Sequence, residues 1–366
     1  MNALTPPFGA PGGDADRPAG GKVRVFVVDD SSLVRAAYAR IIAQDPGLEL
    51  VGAAISGEDA LAQLGALHVN VVLLDLEMPG MGGMQALPEI IRRTNGARVM
   101  VVSTLTAAGA EHTVRALALG AADTLQKPAP GRFDDAYRAG LIAKIKALGK
   151  RPLHRIASPG APAAPPIVQR APSALRARIV ALGASTGGIY ALSALLGALP
   201  PKIGVPILIT QHLPVEFLDA FARQLRECSG RAAVIAHDAM ELAPDTLIVA
   251  PGNAHLCLER RGAGNVVRLD RDPVPSGCKP SVDPMFASLA QHYGGHALGV
   301  VLTGMGRDGT EGARALVDAG GSVLVQSEAS SVVWGMPGSV AKAGLASAML
   351  HPHDLAARIA ASTERA

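Results

Sequence analysis

Apolar residues fall in short runs, each closed by a polar or glycine-rich turn and followed by a stretch with helical spacing. Val23–Val28 is apolar apart from Arg24 and stops at Asp29, Asp30, Ser31 and Ser32; Leu33, Ala37, Ile41 and Ile42 then take up a helical period. The strand signal returns at Leu48–Ala54, 70–74, 98–102 and 121–125, with helical stretches at 58–64, 84–93, 110–119 and 133–148. Five strands alternating with five helices predict a parallel, doubly wound α/β sheet with ligands at the carboxyl ends of its strands.

The pattern lapses over 149–177, where six prolines stand among Ala, Arg and Ser, and this predicts a largely extended linker. It restarts at 178. The apolar run 178–182 ends in Gly183-Ala184-Ser185-Thr186-Gly187-Gly188 and reopens as a helical stretch at 189–196. A second run, 205–210, delivers Gln211-His212-Leu213-Pro214 before a helix through Phe217, Phe221 and Leu225, and a third, 297–302, ends in Thr303-Gly304-Met305-Gly306-Arg307-Asp308-Gly309. An open-sheet α/β domain over 178–366 is expected, alongside a first domain at 22–148 and a disordered tail at 1–21.

Length and charge narrow the field. At 366 residues the chain exceeds a domain of about 100 to 200 residues, so two cores are the default. A net charge of +3, from 34 basic and 31 acidic side chains, leaves no footprint for nucleic acid or for an anionic membrane surface. Cys228, Cys257 and Cys278 are widely spaced and form no C-x-x-C, which points to ordinary thiols in a reducing compartment. The first residues lack a signal peptide, and no apolar run reaches the about 18 residues of a membrane span, so a cytoplasmic protein without membrane insertion is expected.

In the first domain the polar residues collect at strand ends: Asp29 and Asp30 after the first strand, Asp75 after the third, Ser103 after the fourth, Lys127 after the fifth. Three carboxylates in one crevice repel unless a hard cation such as Mg²⁺ bridges them. Asp75 is placed to attack a phosphoryl donor, with Ser103 and Lys127 on the oxygens of the phosphate formed.

In the second domain Ser185 sits in a glycine-flanked turn suited either to a nucleophile or to a phosphate cradle. His212 and Asp308, at two further strand ends, make Ser185, His212 and Asp308 a nucleophile, general base and orienting carboxylate. The order Ser, His, Asp is not that of α/β-hydrolases, so a separate hydrolase fold is expected. Backbone N–H groups at Thr186 and Met305 are candidates for an oxyanion hole. His237, Asp238, His255, Asp270, Asp272, Asp283, His292 and His296 compete for acid–base roles; His255 follows a strand and either lines the cleft or sits in a surface loop. His292 and His296 are separated by Gly294-Gly295, which breaks the helix a metal pair needs. Lys279-Pro280-Ser281-Val282-Asp283 reads as a helix start capped by Ser281 or Asp283.

Asp29-Asp30, Asp75, Ser103 and Lys127-Pro128 together resemble the signature of a response-regulator receiver domain. The resemblance implies that a histidine kinase phosphorylates Asp75, that Asp29, Asp30 and Asp75 hold Mg²⁺ with Glu77 joining through its backbone carbonyl, and that Ser103 and Lys127 sense the phosphate. Receivers commonly carry an aromatic three residues before the lysine; here that residue is Thr124, so the switch must work through other contacts. The whole chain from Lys22 resembles the chemotaxis protein-glutamate methylesterases, on the Ser185 turn, Thr210-Gln211-His212-Leu213-Pro214, Ala250-Pro251-Gly252, Pro280-Ser281-Val282-Asp283, the Asp308 turn and Gly335-Met336-Pro337. That likeness implies a phosphorylation-activated serine hydrolase that removes methyl groups from receptor glutamyl esters and deamidates glutamines, with no cofactor for the esterase. It implies chemotaxis receptors as substrate, and a receiver that obstructs the Ser185 edge until phosphorylated. The same esterase serving another signalling array, and a receiver joined to a non-catalytic ligand-binding module, are the rival readings.

Overall fold

The computed structural model describes residues 21–94, 96–104, 106–128, 133–149, 167–262 and 264–364. The tail and much of the linker expected from the sequence lie outside them. The chain forms two compact units, divided after Arg151.

The first unit alternates β1 (Val23–Val28), α1 (Ser32–Ala43), β2 (Leu48–Ala54), α2 (Gly57–Leu64), β3 (Val71–Asp75), α3 (Gly83–Arg93), β4 (Arg98–Ser103), α4 (Ala107–Ala118), β5 (Asp123–Gln126) and α5 (Asp135–Gly149). Its five strands lie parallel in the order β2-β1-β3-β4-β5. The inner strand β3 is buried along its whole length, which is why it reads as an unbroken apolar run rather than an alternating one. Side-chain caps start the helices where the sequence offers them: Ser31 for α1, Ser56 for α2 and Thr106 for α4 each accept a backbone N–H of the first turn.

The second unit begins with β6 (Ile179–Ala184), α6 (Gly188–Ala198), β7 (Ile207–Gln211), α7 (Leu218–Ser229), β8 (Ala233–Ile235) and β9 (Leu247–Val249). There follow β10 (His255–Arg261), β11 (Gly264–Asp270), α8 (Val282–Tyr293), β12 (Ala297–Val301), α9 (Thr310–Asp318), β13 (Ser322–Gln326), α10 (Met336–Lys342), β14 (Ala348–Leu350) and α11 (Pro352–Thr363). Seven strands make one sheet in the order β14-β13-β12-β6-β7-β9-β8, and every pairing in it is parallel. β10 and β11 stand apart as an antiparallel hairpin, a departure from strict strand–helix alternation. Ile179, Leu208, Ile248, Phe286, Val301 and Val325 lie in one core with α8 and the hairpin against the sheet.

The chain leaves β6 towards β7 on one side and returns to pair with β12 on the other, so β6 is the middle strand and marks the switch point of the sheet. Crevices at such points, at the carboxyl ends of the strands, are where open α/β sheets bind ligands. Residues 167–177, expected as linker, are tied to this unit: Arg170 N donates to Ala346 O at 2.9 Å, Ser173 N to Ser322 Oγ at 2.7 Å and Ala177 N to Ser362 O at 2.8 Å. No helix among the described residues is long and apolar enough to cross a membrane.

Candidate active site and acidic cluster

The carboxyl edge of the first sheet gathers the predicted acidic residues. Lys127 Nζ stands 2.5 Å from Asp75 Oδ2 and 3.2 Å from Asp29 Oδ2. Asp75 Oδ1 accepts from Glu77 N at 3.0 Å and Asp29 Oδ1 from Ser31 N at 2.9 Å. One oxygen from each of Asp29, Asp30 and Asp75 lies within 4.8 Å of the others. Asp29 Oδ2 is buried and accepts no hydrogen bond among the described residues; the Lys127 ammonium supplies its counter-charge. An all-oxygen cluster with an unfilled acceptor is the donor set a hard divalent cation takes, so these residues fit Mg²⁺. Burial raises the Asp75 pKa above the usual carboxylate range, against the lowering pull of Lys127 and the Glu77 N–H. Burial works against the Lys127 charge as well, but its hydrogen bond to Asp75 and the negative charges of Asp75 and Asp29 outweigh that and raise its pKa. Ser103 sits at the same edge, its Oγ accepting from Thr113 Oγ1 at 2.7 Å and its carbonyl from Lys127 N at 2.8 Å. Thr124 Oγ1 is buried and has no hydrogen-bond partner among the described residues.

At the carboxyl edge of the larger sheet, Ser185 follows β6, His212 follows β7, and Asp308 lies in the turn between β12 and α9. These are three neighbouring strands with Ser185 on the middle one. The backbone ties them: Ser185 N donates to Thr303 O at 3.0 Å and His212 N to Ala184 O at 3.0 Å. The Ser185 carbonyl accepts from Gly188 N at 2.7 Å and from Gln211 Nε2 at 2.9 Å, so the turn is held from both sides. Gly187 closes the turn at φ 76°, a left-handed conformation that a residue with a side chain resists.

His212 Nε2 lies 2.8 Å from Asp308 Oδ2. With that nitrogen protonated and donating, Nδ1 keeps the ring's free lone pair. Asp308 is buried, and two more donors fix it: Ser281 Oγ at 2.6 Å to Oδ1 and Val282 N at 2.8 Å to Oδ2. Burial opposes the Asp308 charge, but the bonds from His212, Ser281 and Val282 prevail and lower its pKa. Burial also opposes a charged His212, and hydrogen bonds to Asp308 and Cys278 override it, pushing the ring up to about 9. Asp283, half-buried near Asp308, is raised by its partial burial and by that like charge, while Gly312 N donates to its Oδ1 at 2.8 Å.

Two residues whose roles the sequence left open join the site. Ser281 is the expected cap of α8, accepting from Asp283 N at 3.2 Å, but its hydroxyl proton goes to Asp308. Of the two readings of His255, the surface loop does not hold: the residue opens β10 at 1% exposure. Its Nδ1 accepts from Ser281 N at 2.9 Å, and Nε2 lies 2.9 Å from Asp272 O. The hairpin, invisible as an antiparallel insertion, carries this histidine inward beneath the Ser281 turn. Of the backbone groups expected in an oxyanion hole, Thr186 is buried beside Ser185, its carbonyl accepting from Thr303 Oγ1 at 2.9 Å, and Met305 is 38% exposed in the turn that Thr303 opens. A Cβ on Gly304 would lie 2.8 Å from Ser185 Cβ, so the two turns touch backbone to side chain. His237, Asp238, Asp270 and Asp272 make no hydrogen bond with Ser185, His212 or Asp308; Asp238 accepts from Leu269 N at 2.6 Å and Asp270 from Asp272 N at 2.9 Å. His292 lies in α8 and His296 in a separate 3₁₀ turn.

A family model described as CheB methylesterase matches residues 180–359, and one described as response regulator receiver domain matches residues 25–137. The protein-glutamate methylesterase/protein-glutamine glutaminase of Maricaulis maris is 39% identical over 92% of this chain and 95% of its own length. Protein-glutamate methylesterase/protein-glutamine glutaminase 2 of Caulobacter vibrioides is 42% identical over 90% of this chain and 95% of its own. The solved catalytic domain of Thermotoga maritima CheB methylesterase is 32% identical, spans 51% of this chain and 99% of its own, and superposes with a TM-score of 0.50.

Proposed function

The chain belongs to the CheB methylesterase family, with a response-regulator receiver domain in front of the esterase unit, and from that premise we propose that Ser185, His212 and Asp308 hydrolyse glutamyl methyl esters on chemotaxis receptors. Ser185 Oγ attacks the ester carbonyl carbon while the His212 nitrogen not held by Asp308 takes its proton. The tetrahedral oxyanion gathers donors from the Thr186 and Met305 main chain. Collapse expels methanol carrying the proton from His212, leaving an acyl-serine. Water, deprotonated by the same ring, then releases a glutamate carboxylate and frees Ser185. With a glutamine side chain the same steps expel ammonia, the glutaminase reaction. Each turnover adds one negative charge to the receptor.

The observation that carries this reading is the 2.8 Å contact of His212 with a triply held Asp308, on the strands that flank the Ser185 turn. A phosphate cradle has no use for a histidine anchored in this way. In the receiver unit Asp75 takes a phosphoryl group from the phosphohistidine of a histidine kinase: its carboxylate oxygen bonds to phosphorus as the phosphorus–nitrogen bond breaks and the kinase imidazole leaves, while Lys127 and Ser103 meet the transferred oxygens. Mg²⁺ supplies charge neutralisation there when bound, and Asp29, Asp30, Asp75 and the Glu77 carbonyl would hold it.

Methanol release from methyl-labelled receptor membranes, with and without acetyl phosphate, tests both halves. Ser185→Ala is expected to lower the rate by at least about 10³-fold. Release by that variant at an undiminished rate would remove Ser185 from the reaction.

A further inference from the structure

Cys278 joins His212 and Asp308 to make a second constellation on the catalytic edge. One ligand atom from each of these three side chains lies within 4.8 Å of the other two. Cys278 precedes the Ser281 turn and is half-buried, open to an ion arriving from solvent. Its main chain is anchored by Cys278 N donating to Ser276 Oγ at 3.3 Å. The other thiols differ: Cys257 is buried in β10 and Cys228 lies in α7, and neither belongs to a cluster of potential metal ligands among the described residues.

We propose that Cys278, His212 and Asp308 bind Zn²⁺ and that the bound ion switches the esterase off. Sulfur, nitrogen and oxygen from three side chains, with a fourth position left to solvent, are a donor set that zinc accepts and magnesium does not. In a tetrahedral site with nitrogen and oxygen each about 2.0–2.2 Å from the metal, the two stand roughly 3.3 Å apart. The 2.8 Å His212–Asp308 separation therefore has to open only slightly. Ser281 and Val282 keep their hold on Asp308 and orient it as hydrogen-bond partners of a ligating carboxylate do. On binding, the Cys278 thiol releases its proton to solvent and forms a sulfur–zinc bond; the His212 ring gives up its Nε2 proton, to solvent from the charged ring or to Nδ1 in the neutral one, and coordinates through Nε2, and no electron changes hands. The ring is then tied to the metal, and the Ser185 proton loses its acceptor. This last step rests on His212 being the general base; the metal site itself does not.

Two titrations of the metal-free full-length protein test the proposal. Co²⁺, the spectroscopic stand-in, is expected to bind with a thiolate-to-cobalt charge-transfer band in the near ultraviolet, absent from Cys278→Ser and Cys278→Ala. Buffered Zn²⁺ is expected to inhibit methanol release, with the half-inhibiting concentration at least tenfold higher in either variant, each normalised to its own metal-free rate. A band that persists in both variants, no band in the unaltered protein, or equal zinc sensitivity of all three proteins would overturn it. So would full methanol release from the metal-loaded protein. A failed catalytic reading looks different: His212→Ala would then release methanol at the original rate whatever cobalt does.

Discussion

Asp308 is the most constrained side chain of the site, and its constraint sets the behaviour of the residues around it. Three donors converge on it, so the carboxylate stays ionised and aimed at the ring while burial would otherwise neutralise it. Ser281→Ala removes one donor. A hydrogen bond to a charged group is worth about 1.5–3 kcal/mol, so kcat/KM is expected to fall about tenfold or more in methanol-release assays. The ring responds to pH in a defined sense. His212 must be neutral to accept the Ser185 proton, and its pKa is pushed up to about 9. In metal-free buffer kcat/KM is therefore expected to rise by about tenfold per pH unit from neutrality and to level off near that value. A profile already flat at neutral pH would show a ring that is not held in this way. The placement of Ser185, His212 and Asp308 at three strand ends was legible because each falls in the turn that closes an apolar run. The bonds joining Ser281 to Asp308 and to His255 were not, since a capping serine and a strand-start histidine look the same in sequence whether or not a carboxylate waits behind them.

At the scale of elements, the turn after β6 and the turn after β12 lean on each other. Gly304 is where they meet: a Cβ there would collide with Met336 Sδ and come within 2.8 Å of Ser185 Cβ. Gly304→Ala is expected to shift the nucleophile rather than unfold the sheet. Methanol release should drop by roughly 100-fold, the cost of a misplacement of about 1 Å, with the far-ultraviolet circular dichroism unchanged. The period of the apolar runs read the parallel strands correctly, because strands buried on both faces appear as unbroken Val, Ile and Leu. It missed the hairpin of β10 and β11, whose second strand carries Asn265, Arg268 and Asp270 among its apolar positions. The prolines of 149–177 predict a connector, yet 167–177 bond to the second unit, which composition has no means to express.

At the scale of the molecule, each unit has its own sheet and its own set of strand-end acids, and the chemistry divides accordingly. Phosphorylation of Asp75 adds about −1.5 to −2 charge at the first edge. Asp75→Asn has no carboxylate to phosphorylate, so acetyl phosphate is expected to leave its methanol release unchanged while stimulating the unaltered protein. Equal stimulation of both would place the regulatory phosphate elsewhere. The acidic cluster was legible from strand ends alone; Thr124 marked a departure from the receiver pattern, and the structure adds that its hydroxyl is buried with no hydrogen-bond partner among the described residues.

The middle position of β6 has a bearing on heat and time. The margins of its sheet are the three-residue strands β8 and β14, which have few cross-strand bonds to hold them. Fraying starts at such borders, and the amide protons of β12, β6 and β7 should be the last in this sheet to exchange with deuterated solvent. Hydrolytic power would thus outlast the loosening of the periphery, and vanish only when the whole esterase unit gives way.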